Sequence, residues 1–100
     1  MRLTVLGCHG GELPGCRTTC LLVDGHTAID AGALTATLPI EELLKVDDVF
    51  LTHSHFDHVK DVPLMADIIV GRRPDPVRIR STEACLKTMQ DSVFNNQLWP

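Results

Sequence analysis

The residues best suited to chemistry are six consecutive ones, His53-Ser54-His55-Phe56-Asp57-His58, at the end of an apolar run. The run before them, 46–52, is rich in β-branched and apolar residues and predicts a buried strand. Side chains two apart on an extended backbone point to the same side, so the first two histidines are predicted to converge on one point. The Asp-His pair would turn toward a second point nearby. The pattern therefore predicts a dinuclear metal site with four protein ligands: His53, His55, Asp57 and His58.

The residue types of this motif select the metal and the reaction. Neutral imidazoles with a carboxylate suit Zn²⁺, and also Mn²⁺ or Fe, whereas Mg²⁺ and Ca²⁺ prefer oxygen ligands. Two such ions about 3.5–4 Å apart can share a water, lower its pKa and stabilise charge on a displaced oxygen. We therefore expect two divalent metal ions, with zinc as the first choice, and a hydrolytic reaction. A histidine-rich surface loop without a ligand role is the alternative interpretation.

The sequence around the motif alternates strands and helices. The dipeptide Asp24-Gly25 between two apolar runs, 18–23 and 27–30, predicts a β-hairpin. Asp61 is predicted to cap a helix over 63–70, and an extra acid near the metal site is the alternative. The remaining elements are strands at 3–6, 46–52 and 77–80, a short helix opened by Pro39, and a last helix capped by Ser81-Thr82. This order predicts an α/β fold, half of a sandwich with the sheet inside and the helices outside.

Composition excludes several classes of protein. The 100 residues, 44% of them hydrophobic, suffice for one small domain. A net charge of −4 argues against a nucleic-acid groove, which would show clustered Lys and Arg. No apolar stretch approaches the roughly 20 residues of a membrane span. The four cysteines, without a secretory signal, predict reduced thiols and a cytoplasmic protein. The Arg72-Arg73 pair is predicted to be a solvated turn. A small molecule is the expected partner.

The motif resembles the HxHxDH signature of the metallo-β-lactamase superfamily. The segment 28–32, Ala-Ile-Asp-Ala-Gly, resembles the strand of that family that ends in D-x-G. Two further segments, 17–24 and 94–100, resemble a narrower group, the class II cyclic-nucleotide phosphodiesterases. The resemblance implies an αββα sandwich with a mixed sheet and outer helices. It also implies that the first two histidines bind one metal and the Asp-His pair the other.

The resemblance further implies an activity and the roles of two acids. The expected reaction is hydrolysis of a 3′,5′-cyclic nucleotide by a metal-activated hydroxide. Asp57 would bind metal and also orient the attacking water, and Asp30 would accept a hydrogen bond from a ligating imidazole and fix its tautomer. Phe56 stands where the phosphodiesterases have Leu, and Phe also occurs there in lactonase-like branches. A lactone, a thioester or an RNA 3′ end therefore stays open as the substrate.

The resemblance also bears on domain organisation, because the implied fold takes about twice this length. In the implied fold, a further His, a bridging Asp and a final His follow the motif and complete the metal site. In this chain His9 and His26 precede the motif, and no histidine follows His58. Residues 1–100 are therefore expected to be one partial domain, the N-terminal half, inactive alone. A half sandwich would leave one apolar face of its sheet exposed to solvent, and such a face favours association with a second copy of the chain. A non-catalytic metal-binding half-domain is the alternative.

Overall fold

Strands and helices alternate along residues 1–100, all of which the computed structural model describes. The strands are β1 (Leu3–Gly7), β2 (Cys20–Val23), β3 (Thr27–Ile29), β4 (Asp48–Phe50) and β5 (Arg78–Arg80). The helices are α1 (Leu34–Thr37), α2 (Ile40–Leu43), α3 (Phe56–Val59), α4 (Asp61–Ile69) and α5 (Glu83–Ser92).

The strands form one mixed sheet in the order β1-β2-β3-β4-β5. The first three strands pair antiparallel, and β3, β4 and β5 pair parallel. Asp24 (φ 52°) and Gly25 (φ 73°) both have positive φ between β2 and β3, which is the geometry of a tight hairpin turn. The predicted hairpin and the predicted α/β fold are confirmed. Because β3 and β4 run parallel with Ile29 opposite Phe50, the segments that leave their carboxyl ends emerge side by side.

The hydrophobic core lies between one face of this sheet and the helices. Leu22, Ala28 and Val49 are aligned across the three central strands and are all buried. The helices cover them with fully or almost fully buried side chains: Leu34, Leu43, Val59, Val62, Met65, Cys85 and Met89. Alternation along each strand places every second residue in this core. The predicted arrangement, helices against a sheet, is therefore present on this side.

The other face of the sheet is not covered by any helix. Val5, Leu21, Ile29 and Phe50 are aligned there across β1 to β4. Val5 is 56% exposed and Phe50 is 44% exposed, although both are large and apolar. The apolar bare face that the sequence predicts is therefore present.

Asp48 occupies the polar end of this bare face, between two arginines of β5. Its Oδ1 accepts hydrogen bonds from Nε of Arg78 and Nε of Arg80, each at 2.8 Å. These hydrogen bonds, and the two positive charges, hold the pKa of Asp48 well below its usual range. The ionised carboxylate is therefore favoured by folding.

Asp48→Asn is expected to lower the stability of the protein at pH 7. Because the folded-state pKa is depressed, the contribution is complete above the unfolded-state pKa of about 4 and is lost as pH falls through the folded-state value. The urea midpoints of wild type and variant should thus differ at pH 7 and approach each other below pH 4. Asp67→Asn, at an exposed position of α4, is the matched control. A gap that stays constant with pH would contradict the assignment.

The helices after the metal motif differ from the prediction. Residues 56–59 form α3, a helix that the sequence does not predict, and α4 begins at Asp61 instead of Pro63. Lys60 between them keeps helical backbone angles (φ −57°, ψ −30°), so the chain is already helical when it reaches Asp61. Asp61 therefore does not cap its own helix. Its Oδ2 accepts a hydrogen bond from the backbone N–H of Thr35 (3.0 Å). The Asp61 carboxylate therefore caps the first turn of a different helix, α1, which the sequence does not predict.

Arg73 also differs from the predicted solvated turn. Its side chain is 10% exposed, and Nη1 donates to the backbone carbonyls of Leu44 and Val46 at 2.8 Å. Nη2 donates to Oδ1 of Asp47 at 3.0 Å. The guanidinium thus satisfies carbonyls left open after helix α2, because arginine offers five donors in a fixed fork.

The cysteines are four free thiols, of which Cys20 and Cys85 are buried in the core. Burial raises the pKa of the Cys20 thiol to about 12, so it stays protonated at neutral pH. No helix in this fold has the length and apolar character needed to cross a membrane.

Candidate metal centre

Asp30 is the first residue after β3, at the point where that strand leaves the sheet. Its backbone N–H still donates to the carbonyl of Phe50 (2.7 Å), and its φ of 63° then turns the chain sharply. Asp is one of the few residue types that tolerate this left-handed conformation. The turn directs the Asp30 side chain, only 3% exposed, toward the segment that follows β4.

The carboxylate of Asp30 joins the two halves of the metal motif. Oδ1 accepts from the backbone N–H of Thr52 (2.8 Å), and Oδ2 accepts from Oγ1 of Thr52 (2.8 Å). Nδ1 of His58 lies 2.8 Å from the same Oδ2. Because a carboxylate only accepts, it selects the His58 tautomer with the proton on Nδ1 and leaves the Nε2 lone pair free to bind a cation. The supporting role that the resemblance implies for Asp30 requires this contact, and the role itself stays a prediction.

The backbone after Asp30 is held between the residues just before β2 and helix α3. The N–H of Ala31 donates to the carbonyl of His58 (2.7 Å), and the N–H of Gly32 donates to the carbonyl of Thr19 (2.9 Å). Oγ1 of buried Thr18 donates to the carbonyl of Gly32 at 2.9 Å. A Cβ on Gly32 would lie 2.5 Å from the carbonyl oxygen of Asp57 and would also collide with Thr18. Only glycine fits at this position, because any side chain would collide with these neighbours.

The motif side chains lie together in one cluster. The ring centroids of His53 and His55 are 4.6 Å apart, and those of His53 and His58 are 4.1 Å apart. Oδ2 of Asp57 lies 3.5 Å from Nε2 of His58. The structure thus brings together all four predicted ligands. It does not separate them into the two pairs that simple alternation predicts, since α3 turns His58 back toward His53.

The donor chemistry of this cluster fits a transition-metal ion, with imidazole nitrogens and one carboxylate and with Nε2 of His58 oriented by Asp30. The geometry is incomplete. No group of three or more His, Cys, Asp or Glu side chains converges on a point where a metal ion could be held. The imidazoles instead pack against one another, His53 edge to face with His55.

Thr52 is a site residue that the sequence prediction missed. Besides its three contacts with the Asp30 carboxylate, its Oγ1 lies 2.9 Å from Nδ1 of His53. Thr52 therefore links Asp30 to His53, the first histidine of the motif, and Asp30 contacts His58, the last one, directly. The only signal in the sequence is a hydroxyl residue directly before the motif.

Lys60 connects the site to the glycine-rich segment 7–15. Its Nζ lies 3.0 Å from Oδ1 of Asp61, which is fully buried, and 3.1 Å from Oε2 of Glu12. Burial acts to lower the pKa of Lys60, but these two acids outweigh it and raise that pKa. The ammonium is therefore already matched by two carboxylates, and it anchors the segment beside α3.

Two solved structures are similar in fold to this chain. The crystal structure of unliganded yeast PDE1 superposes with a TM-score of 0.74 at 17% identity, over 98% of this chain and 46% of that one. The metallo-β-lactamase fold protein YhfI from Bacillus subtilis gives a TM-score of 0.67 at 21% identity, over 89% and 41%. This chain thus spans less than half the length of either structure. At these identities the likeness shows the fold alone.

Comparison with curated proteins finds no sequence match. The family model described as the metallo-β-lactamase superfamily matches residues 15–92. The match includes β2 to α5, and with them Asp30, Gly32 and the whole histidine motif. The chain belongs to the metallo-β-lactamase superfamily.

Proposed function

We propose that this chain forms part of a metal-dependent phosphodiesterase that hydrolyses a 3′,5′-cyclic nucleotide. Superfamily membership supports the coarser statement, a metal-dependent hydrolase. The observation that carries the proposal is the hydrogen bond between Asp30 and His58, because it prepares Nε2 of His58 to bind a cation beside three other donor side chains.

His53, His55, Asp57 and His58 are the residues that would hold two divalent ions, zinc in the first instance. Such ions lower the pKa of a bound water and stabilise charge on phosphate oxygens. Within the chain, Asp30 and Thr52 orient His58 and His53 by hydrogen bonds. Asp57, 34% exposed beside His58, is open to solvent and would accept the proton of the attacking water.

The reaction replaces one phosphorus–oxygen bond by another. The water oxygen bonds to phosphorus, the bond from phosphorus to one of the two ribose oxygens of the cyclic ester breaks, and that oxygen takes up a proton. The single product is a nucleoside monophosphate, in which the cyclic ester is open and the released oxygen is a free hydroxyl. No oxidant or second substrate is needed.

The choice of a cyclic nucleotide rests on the resemblance of segments 17–24 and 94–100 to class II phosphodiesterases, and the fold shared with yeast PDE1 is consistent with it. The net charge of −4 disfavours an RNA 3′ end. Phe56 keeps a lactone or thioester as the alternative substrate.

The number of donors bears on what the chain does alone. Four motif ligands shared between two ions give two per ion, whereas a catalytic zinc keeps about three protein ligands. We therefore propose that residues 1–100 act as one partial domain and that further donors come from outside them. A non-catalytic metal-binding half-domain is the competing proposal.

His55→Ala is expected to remove much of the bound metal and the hydrolysis of cyclic AMP, since His55 is one of four donors. The measurement is elemental analysis of the purified intact protein, with about two ions expected per wild-type molecule, together with an assay of the intact protein against cyclic AMP and a lactone. His26→Ala, at the distant β2–β3 hairpin where the ring is 61% exposed, is the matched control. Unchanged metal content in His55→Ala would remove the basis of the proposal, and hydrolysis of the lactone alone would change its substrate.

A further inference from the structure

A cavity of about 390 Å³ opens beside the metal motif, between α3, the start of α4 and the segment that follows α5. Its wall includes Phe56, Leu64, Val93, Leu98 and Trp99. Phe56 is 72% exposed and Leu98 is 63% exposed, both high for large apolar side chains. Cavities that bind small molecules have about this volume and this apolar character.

The charge of the cavity wall excludes the phosphate itself as the occupant. Lys60 is the one charged residue of the wall, and both Asp61 and Glu12 already pair with its ammonium. An anion placed here would lose its hydration and would gain only contacts with apolar carbon and with the Lys60 ammonium, whose charge is already neutralised. Its binding would therefore be unfavourable. The occupant must be a neutral, largely apolar group.

The cavity adjoins the metal motif through one residue of its wall, Phe56. Phe56 lies between His55 and Asp57 in the chain, and neighbouring Cα atoms are about 3.8 Å apart. In a helix each side chain is rotated by about 100° from the one before, so Phe56 and Asp57 face two adjoining sides of α3. A single substrate molecule can therefore place its reacting group at the histidines and a second group in the cavity.

Two of the wall residues are aromatic: Phe56 belongs to α3, and Trp99 belongs to the segment after α5. Flat aromatic groups gain more from such walls than alkyl groups do, because rings stack on rings in offset or edge-to-face contact. We propose that this cavity is a subsite that binds a planar aromatic group of the substrate, while the ester to be cleaved lies at the histidine cluster. This inference rests on the proposed function.

Trp99 makes the proposal testable without turnover, because residues 1–100 contain this one tryptophan and no tyrosine. The probe is 4-nitrophenylphosphonate, whose carbon–phosphorus bond is not hydrolysed and whose nitroaryl ring quenches tryptophan. We expect saturable quenching in wild type and about tenfold weaker binding in Phe56→Ala, the size of loss typical of one lost stacking partner. Phe50→Ala, on the bare sheet face, is the matched control and should bind as wild type does. Methylphosphonate should leave the emission unchanged.

The second measurement uses the intact protein and two cyclic diesters that differ in the planar ring, cyclic AMP and the 3′,5′-cyclic phosphate of methyl riboside, which has no base. Phe56→Ala should raise KM about tenfold for cyclic AMP and leave KM for the methyl riboside ester unchanged. Quenching that does not saturate, or that Phe56→Ala leaves intact, overturns the subsite. The subsite is also overturned if Phe56→Ala changes KM equally for both esters. The same holds if the quenching of Trp99 depends on self-association of the chain. Saturable quenching with no hydrolysis of either ester would instead defeat the proposed function and, with it, the identity of the occupant as a substrate.

Discussion

Replacing Asp30 by asparagine is expected to weaken metal affinity and activity about 10–100-fold while the protein still folds. The amide keeps one acceptor oxygen, which the backbone N–H of Thr52 requires. Its NH₂ group then faces Nδ1 of His58, where the carboxylate accepts a hydrogen bond at 2.8 Å. Two donors cannot face each other, so His58 is driven to the tautomer with its proton on Nε2. In that tautomer Nε2 has no lone pair for a metal ion.

The substitution isolates this effect because asparagine tolerates the φ of 63° at Asp30 as well as aspartate does. The control is Asp24→Asn, at the only other aspartate with positive φ (52°), which accepts a hydrogen bond from the backbone N–H of Arg2 far from the site. Zinc affinity is measured by competition with a chelator, and ¹⁵N shifts of His58 report its tautomer. Wild-type affinity in Asp30→Asn, with an unchanged tautomer, would reduce Asp30 to an ordinary turn residue.

The sequence predicts those parts of the site and fold that are local. The His53–His58 motif lies within six residues, and Asp24-Gly25 specifies its turn through its own backbone preferences. The strand ending in Asp30 is also local, since β-branched and apolar residues mark it. Parallel pairing of β3 with β4 then brings Asp30 to the motif, which follows from the order of the elements.

The parts that the sequence does not predict depend on contacts between distant residues. Asp61 is 26 residues from the Thr35 amide that it caps, and Arg73 is 29 residues from the Leu44 carbonyl that it binds. Nothing near either residue in the chain indicates these partners. Helix α1 shows the same limit, because its N-cap residue, Ala33, makes no side-chain capping bond and the cap comes from another helix.

Gly32 is the residue where such a distant contact has the largest expected consequence. It packs so closely against Thr18 and the Asp57 carbonyl that a single Cβ does not fit, with the carbonyl oxygen 2.5 Å away. Its φ lies outside the left-handed region, so alanine could adopt the backbone conformation and the penalty of Gly32→Ala is one of space. Relief requires movement of α3 away from Thr18, and α3 carries Asp57 and His58.

Gly32→Ala is therefore expected to destabilise the protein by about 1–3 kcal/mol, as overpacked sites do, and to weaken metal binding because two ligands are displaced. Urea denaturation measures the first effect and chelator competition the second. The matched control is Gly10→Ala, where a Cβ meets nothing within 4 Å and φ is not left-handed. That control should be neutral or stabilising by about 0.4–1 kcal/mol, since alanine restricts the unfolded chain. If both variants unfold at the same urea concentration, the close approach of Thr18, Gly32 and α3 is not what positions the metal ligands.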